Sequence, residues 1–306
     1  MRFPGPIAVV LWCALAPLVA GCGGGGSAPP GEGLRVVATT TPVADLAAGV
    51  AGEQAEVHVL LPAGADPHDH EIRAEDVTAL ADADVVVRSG GDLDAWLDEA
   101  LESAGGDAEV VDLMAEVEPP ERDPHWWLDP VSARAATPVL AESFAAARPA
   151  LRASFERAGR RQSKRLKALE ADIRGCLRVI PDDDRELVTT HDAFGAYARR
   201  FDLEVVGALV PALSDHGQAS AGETAELIAA IRHRDVRAVF PESGGSLRLA
   251  EAVAREAGAR VGPPLWVDSL GPAGSGPDTY VTALAANTRS LVTGITGRQA
   301  ACDFGD

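Results

Sequence analysis

Seven histidines occur in this 306-residue chain, and three of them stand where a sequence tends to place ligands. His68 lies in Asp66-Pro67-His68, and His191 in Thr189-Thr190-His191-Asp192. His125 lies in Asp123-Pro124-His125-Trp126-Trp127-Leu128-Asp129-Pro130, between two aspartates and beside two tryptophans, with prolines that hold the backbone extended. A late carboxylate, Asp268, follows Leu265-Trp266-Val267. Neutral imidazole and carboxylate are the common non-thiol ligands of transition metals. Three imidazoles and one carboxylate, if brought together, make a closed, tetrahedral-type metal site.

Taken singly, each histidine is more often a surface or capping residue; their shared position is what argues for a joint role. His70, two residues past His68, Asp123 beside His125, and Glu242 just beyond a predicted strand are expected to support the ligands from behind. His216 is expected at the rim of the site, whereas His58 and His233 are expected to be structural. The competing chemistry is that of a zinc hydrolase, whose metal keeps three protein ligands and an open water position. A fourth ligand, Asp268, closes that position. The chain also has no His-Glu-x-x-His, Gly-x-Ser-x-Gly or glycine-rich phosphate loop.

The elements that must carry these residues alternate. Strands are predicted at 35–38, 56–61, 84–87 and 109–113, with helices at 43–50, 75–81 and 93–103 between them. Residues 131–177 have helical composition interrupted by Pro138 and Pro149, which predicts one helix to about Arg148 and a second, highly charged one from Ala150. Alternation resumes with strands at 186–190, 204–208, 238–240 and 265–267 and helices at 193–200, 221–232, 247–257 and 278–292. This predicts an α/β fold of two lobes, each a mostly parallel sheet flanked by helices, joined by a single long rigid helix. The expected boundaries are an N-terminal lobe at 34–149, a connecting helix at 150–180 and a C-terminal lobe at 181–306. In parallel α/β sheets ligands bind at the carboxyl ends of the strands. All four candidate ligands fall at such ends, two in each lobe.

Residues 1–21 have a positive start, an apolar stretch and a small-residue ending, the pattern of a secretory signal. Leu18-Val19-Ala20-Gly21-Cys22 resembles a bacterial lipoprotein signal, which makes Cys22 the lipidated first residue of the mature chain. Residues 22–33, rich in Gly, Ser and Pro, are expected to form a flexible tether to the membrane. The formal net charge of −19 argues against nucleic acid as a partner. Of the four cysteines, Cys176 and Cys302 remain for a disulfide, which an oxidising compartment permits.

Four segments together resemble the zinc/manganese solute-binding lipoproteins of bacterial ABC transporters: 61–68, 123–130, Thr189-Thr190-His191-Asp192-Ala193-Phe194-Gly195-Ala196-Tyr197, and Val267-Asp268-Ser269-Leu270-Gly271. The resemblance runs in order over about residues 34–296. It implies that His68, His125, His191 and Asp268 bind the metal, that the likeness extends to two lobes with modest movement on release, and that a membrane ABC permease is the partner of a monomeric, non-enzymatic, extracytoplasmic protein. Manganese-type members replace the third histidine with a carboxylate, so retention of His191 favours Zn²⁺ over Mn²⁺ or Fe²⁺. The long histidine-rich loop of many zinc-type members is absent; residues 114–122 are short and acidic. A surface adhesin role, also associated with such proteins, finds no independent support in the residues. Because imidazole must be deprotonated to ligate, affinity is expected to fall as pH drops through the imidazole range.

Overall fold

Short runs rich in β-branched residues, most buried in the central strands, alternate with helices and build two sheets. The computed structural model describes residues 1, 33–65, 67, 70–210 and 220–305. The signal with Cys22, most of the tether, His68 and His216 lie outside the described residues. Strands β1 (Leu34–Ala38), β2 (Ala55–Val59), β3 (Val85–Arg88) and β4 (Glu109–Asp112) pair in parallel in the order β2-β1-β3-β4. Strands β5 (Glu186–His191), β6 (Glu204–Val210), β7 (Ala238–Phe240) and β8 (Arg260–Val261) repeat that arrangement as β6-β5-β7-β8. In each sheet the strand order reverses beside the first strand, and the crevice at such a switch point is where open α/β sheets bind ligands.

Around the first sheet lie α1 (Thr41–Ala51), α2 (Ala74–Asp82), α3 (Leu97–Ala104) and the one-turn α4 (Leu113–Val117). Next come α5 (Pro130–Ala147) and α6 (Arg152–Leu177). Helices α7 (Gly195–Phe201), α8 (Ala221–Arg234), α9 (Leu247–Ala257) and α10 (Tyr280–Thr296) complete the second half. With 26 residues α6 is about 39 Å long at 1.5 Å per residue. Its polar residues hide a buried stripe of Phe155, Leu166, Leu169 and Ile173 that packs on α1, α5 and α10. One contiguous apolar core therefore runs from β1, β3 and α1, through α5 and α6, to β5, β7 and α10. Shared packing of this extent resists hinge bending between the halves.

The helix expected up to about Arg148 runs through Pro138, which sits exposed inside α5, and the carbonyl of Arg134, which lacks the N–H that proline cannot supply, accepts the Thr137 hydroxyl at 2.8 Å. Two local expectations need correction. The strand expected at 265–267 is reduced to one bridge between Leu265 and Glu242. Pro263 and Pro264 precede it and cannot donate to a ladder, so the edge is taken instead by β8. Finally, Leu113 is not the end of β4 but the first residue of α4, whose start the Asp112 carboxylate caps by accepting the Ala115 N–H at 2.9 Å. The other long helical and strand segments fall within a few residues of expectation. Cys176 and Cys302 are joined in a disulfide with Cα atoms 5.4 Å apart. Among the described residues no helix is long and apolar enough to cross a membrane.

Candidate metal centre

His191 is the last residue of β5, the strand at the switch point of the second sheet, so strand geometry alone delivers it to the carboxyl edge. His125 arrives by a longer route. After β4 the chain passes through α4 and short turns into Trp126–Leu128, all three fully buried, before α5 begins at Pro130. Trp126 donates its indole N–H to the Ser89 carbonyl at 3.0 Å, and Trp127 donates to the Val267 carbonyl at 3.1 Å. Asp268 is the next residue, so Trp127 ties the His125 loop to the aspartate segment. Trp266 in that segment is held at both backbone groups by the buried Asn287 of α10, which accepts its N–H at 2.7 Å and donates to its carbonyl at 2.6 Å. That amide does for one residue what a neighbouring strand would otherwise do.

Trp127→Phe is expected to leave the Val267 carbonyl without its donor while keeping most of the packing. Loss of about 1–3 kcal/mol in a urea titration checks this; an unchanged midpoint would show that the hydrogen bond contributes nothing.

The donor atoms converge. Nε2 of His125 lies 3.1 Å from Nε2 of His191 and 3.4 Å from Oδ1 of Asp268, and His191 Nε2 lies 3.6 Å from Asp268 Oδ2. The two rings meet nearly at right angles, with centroids 4.9 Å apart. The His125 and Asp268 side chains are 1% and 7% exposed and that of His191 14%, so the cluster is closed on most sides. Three donors this close, two imidazole nitrogens and a carboxylate oxygen, form a site for a divalent metal ion.

Behind the donors stands a polar scaffold. Asp123 accepts the His125 backbone N–H at 3.0 Å, and the same oxygen faces His125 Nδ1 at 3.7 Å, which leaves Nε2 as the metal-side atom. Burial pushes the Asp123 carboxyl up, but its bonding and charge interactions with His125, together with Arg199, outweigh this and hold it below the ordinary carboxylate value. The fully buried Asp94 accepts the Thr39 hydroxyl at 2.8 Å and the Ser89 N–H at 2.7 Å, fixing the ends of β1 and β3 where Trp126 is anchored. Burial raises the Asp94 carboxyl above its usual range, against the opposing pull of these donors and Arg88. Gly90, at φ 94°, is required here: a Cβ would lie 2.1 Å from Asp112 Oδ1.

The remaining predicted residues are placed as follows. Pro67, next to His68, accepts the Trp96 indole N–H at 3.1 Å. His70 packs on Trp96 with ring centroids 4.6 Å apart and faces Asp76 at 3.8 Å, and burial lowers its pKa. Glu242 lies beyond the end of β7, its N–H bonded to the Thr190 hydroxyl at 2.9 Å; it is not among the described donors that cluster. His58 and His233 are exposed, on β2 and in the last turn of α8. Sequence reasoning missed Asn287, Asp94, Arg199 and Arg200. A lone asparagine in a helix carries no periodic signal, and arginines on a helix look like a solvated face.

Two switch-point sheets around a shared core, with a buried donor cluster at their carboxyl edges, define a solute-binding protein whose solute is a divalent metal ion. The chain belongs to the family described as zinc-uptake complex component A, periplasmic (ZnuA), which matches residues 36–294. It is 30% identical over 275 residues to the zinc-binding protein TroA of Treponema pallidum, covering 85% of this chain and 88% of that one. It is 26% identical over 289 residues to the manganese-binding lipoprotein MntA of Halalkalibacterium halodurans (92% and 95% covered). Against the iron-binding protein YfeA of Yersinia pestis the identity is 28% over 270 residues (85% and 86% covered). The solved structure of TroA superposes with a TM-score of 0.80 at 28% identity, covering 87% of this chain and 99% of that one. As a member of this family the protein is an extracytoplasmic binding protein, not an enzyme; it captures a divalent metal for import, and membership implies an ABC transporter as its partner.

Proposed function

We propose that the protein captures Zn²⁺ outside the membrane through His68, His125, His191 and Asp268 and hands it to an ABC permease. Lipidated Cys22 holds it at the membrane, and the lobes at 34–149 and 181–306, joined through 150–180, act as a monomeric trap. The carrying observation is the donor cluster. Tetrahedral Zn²⁺ with bonds of about 2.0–2.1 Å places its ligand atoms about 3.3–3.4 Å apart; here the two imidazole nitrogens are 3.1 Å apart, Asp268 Oδ1 lies 3.4 Å from His125 Nε2, and Asp268 Oδ2 lies 3.6 Å from His191 Nε2. That the relative TroA is named a zinc-binding protein agrees with this reading.

Similarity to MntA makes Mn²⁺ the second reading. Two imidazoles among the described donors weigh against it, because Mn²⁺ favours oxygen-rich, six-coordinate sites. Elemental analysis of the purified protein, followed by competition among Zn²⁺, Mn²⁺ and Fe²⁺, tests the assignment. One zinc ion per chain that the other two metals fail to displace at equal concentration is the expected result. Retention of manganese or iron in its place would overturn it.

A further inference from the structure

Helix α7 turns two consecutive arginines onto the loop that carries His125. Arg200 grips Asp129 with a two-point fork, Nε to Oδ1 at 2.9 Å and Nη2 to Oδ2 at 2.8 Å. Asp129 is also the cap of α5, accepting the Val131 N–H at 2.9 Å and the Ser132 hydroxyl at 3.1 Å. Arg199 reaches the other side of His125: Nη2 donates to Asp123 Oδ2 at 3.1 Å and Nη1 to Glu121 at 2.7 Å. The other oxygen of Asp123, Oδ1, is the one that faces His125. The loop is thus pinned on both flanks of its histidine from the half of the molecule that supplies His191. Close approach is built into the backbone, since a Cβ on Gly195, the first residue of α7, would lie 2.9 Å from Asp123 Oδ2 and 3.1 Å from Arg199 Nη1.

We infer that Arg199 and Arg200 are positioning residues that lock the His125 loop to the second lobe and thereby set how long the metal stays bound. The inference rests on the reading that His125 is a ligand. The side chains of Asp129 and Asp123 are only 4% and 12% exposed, so parting either from its arginine strands a buried carboxylate, which is strongly opposed. Glu121, 72% exposed, adds little. Release of the ion requires the loop or the lobes to move, and that movement must break these forks. Arg199 acts through Asp123 on the orientation of the imidazole, while Arg200 acts on the register of the loop against α5.

The test measures Zn²⁺ release from the full-length protein by chelator competition in a stopped-flow instrument, with apo melting temperature read in parallel. Arg199→Gln, Arg200→Gln and Gly195→Ala are each expected to speed release by about tenfold, the usual size of effect for groups that orient a ligand. Association should stay within about twofold, since changes at one interface fall mostly on the off-rate. Arg199→Lys should restore part of the slow release. Asp123→Asn added to Arg199→Gln should contribute less than about twofold more, because both act on the same imidazole. Gly195→Ala keeps every charged group and favours helix, so it decides the matter should Arg200→Gln fail to fold. Release at the wild-type rate in Gly195→Ala and Arg199→Gln, or a fully additive Asp123→Asn, overturns the lock. A His125→Ala control that still bound Zn²⁺ normally would instead sink the ligand assignment, so the two failures are distinguishable.

Discussion

His125→Ala is expected to weaken Zn²⁺ binding by two orders of magnitude or more while leaving the apo protein folded. Structural zinc sites release apparent free energies of about 10–16 kcal/mol shared over four ligands, or roughly 3 kcal/mol each, and every 1.4 kcal/mol is a factor of ten. The closed surroundings of the ring strengthen the expectation: its side chain is 1% exposed, so water has no ready route to fill the missing coordination position. The fold should survive because Trp126, Trp127 and Asp129 anchor the loop through bonds that do not involve the imidazole. Chelator competition checks the affinity and circular dichroism the fold. Wild-type affinity in the variant would remove His125 from the site.

Cys176→Ser combined with Cys302→Ser is expected to cost several kcal/mol of stability while leaving the metal site alone. The bridge closes a loop of 126 residues, for which the chain-entropy relation gives about 5 kcal/mol. Part of this is recovered if the tail frays in the native state, and about 2–4 kcal/mol is the usual loss. Weak contacts remain to hold the tail, with the Arg289 guanidinium 4.7 Å from the Phe304 ring. A fall of roughly 5–10 °C in melting temperature follows from the size of the domain. Zinc stoichiometry should not change, because the cavity beside the disulfide is lined by Asp184, Arg237 and Arg260, at the amino ends of the strands, away from the donors. Identical melting of the variant and the parent would show that the cross-link adds nothing.

Legibility in the sequence followed the range of the interaction. Short apolar, β-branched runs and helical patterns with Gly and Pro punctuation give away β1, β5, α1 and α8, because the signal repeats along one element. His125, His191 and Asp268 were legible because parallel sheets place ligands at one edge and each of the three stands past a β-type run. Residues 265–267 have strand composition, yet beyond the bridge at Leu265 the partner of Trp266 is a side chain, Asn287, on a helix 21 residues later, and no local pattern announces that. The compensation that lets Pro138 stay inside α5, a single hydroxyl one residue away, is equally without a pattern. Arg199 and Arg200 were hidden by their own ambiguity: an arginine aimed at a buried carboxylate in the other lobe and one aimed at solvent look the same in sequence.

The near-complete enclosure of the donor cluster bears on what the protein refuses. Magnesium sheds its water reluctantly and calcium wants six to eight oxygens around it. The described donors are rich in nitrogen, with Trp127 against the His125 ring, and offer few of the oxygens that either ion prefers. On the proposed reading, an ion that gains more from imidazole than it loses in hydration is the one expected to stay. Discrimination against the hard divalent ions is then expected to come from the cost of dehydration, before any question of ionic size arises.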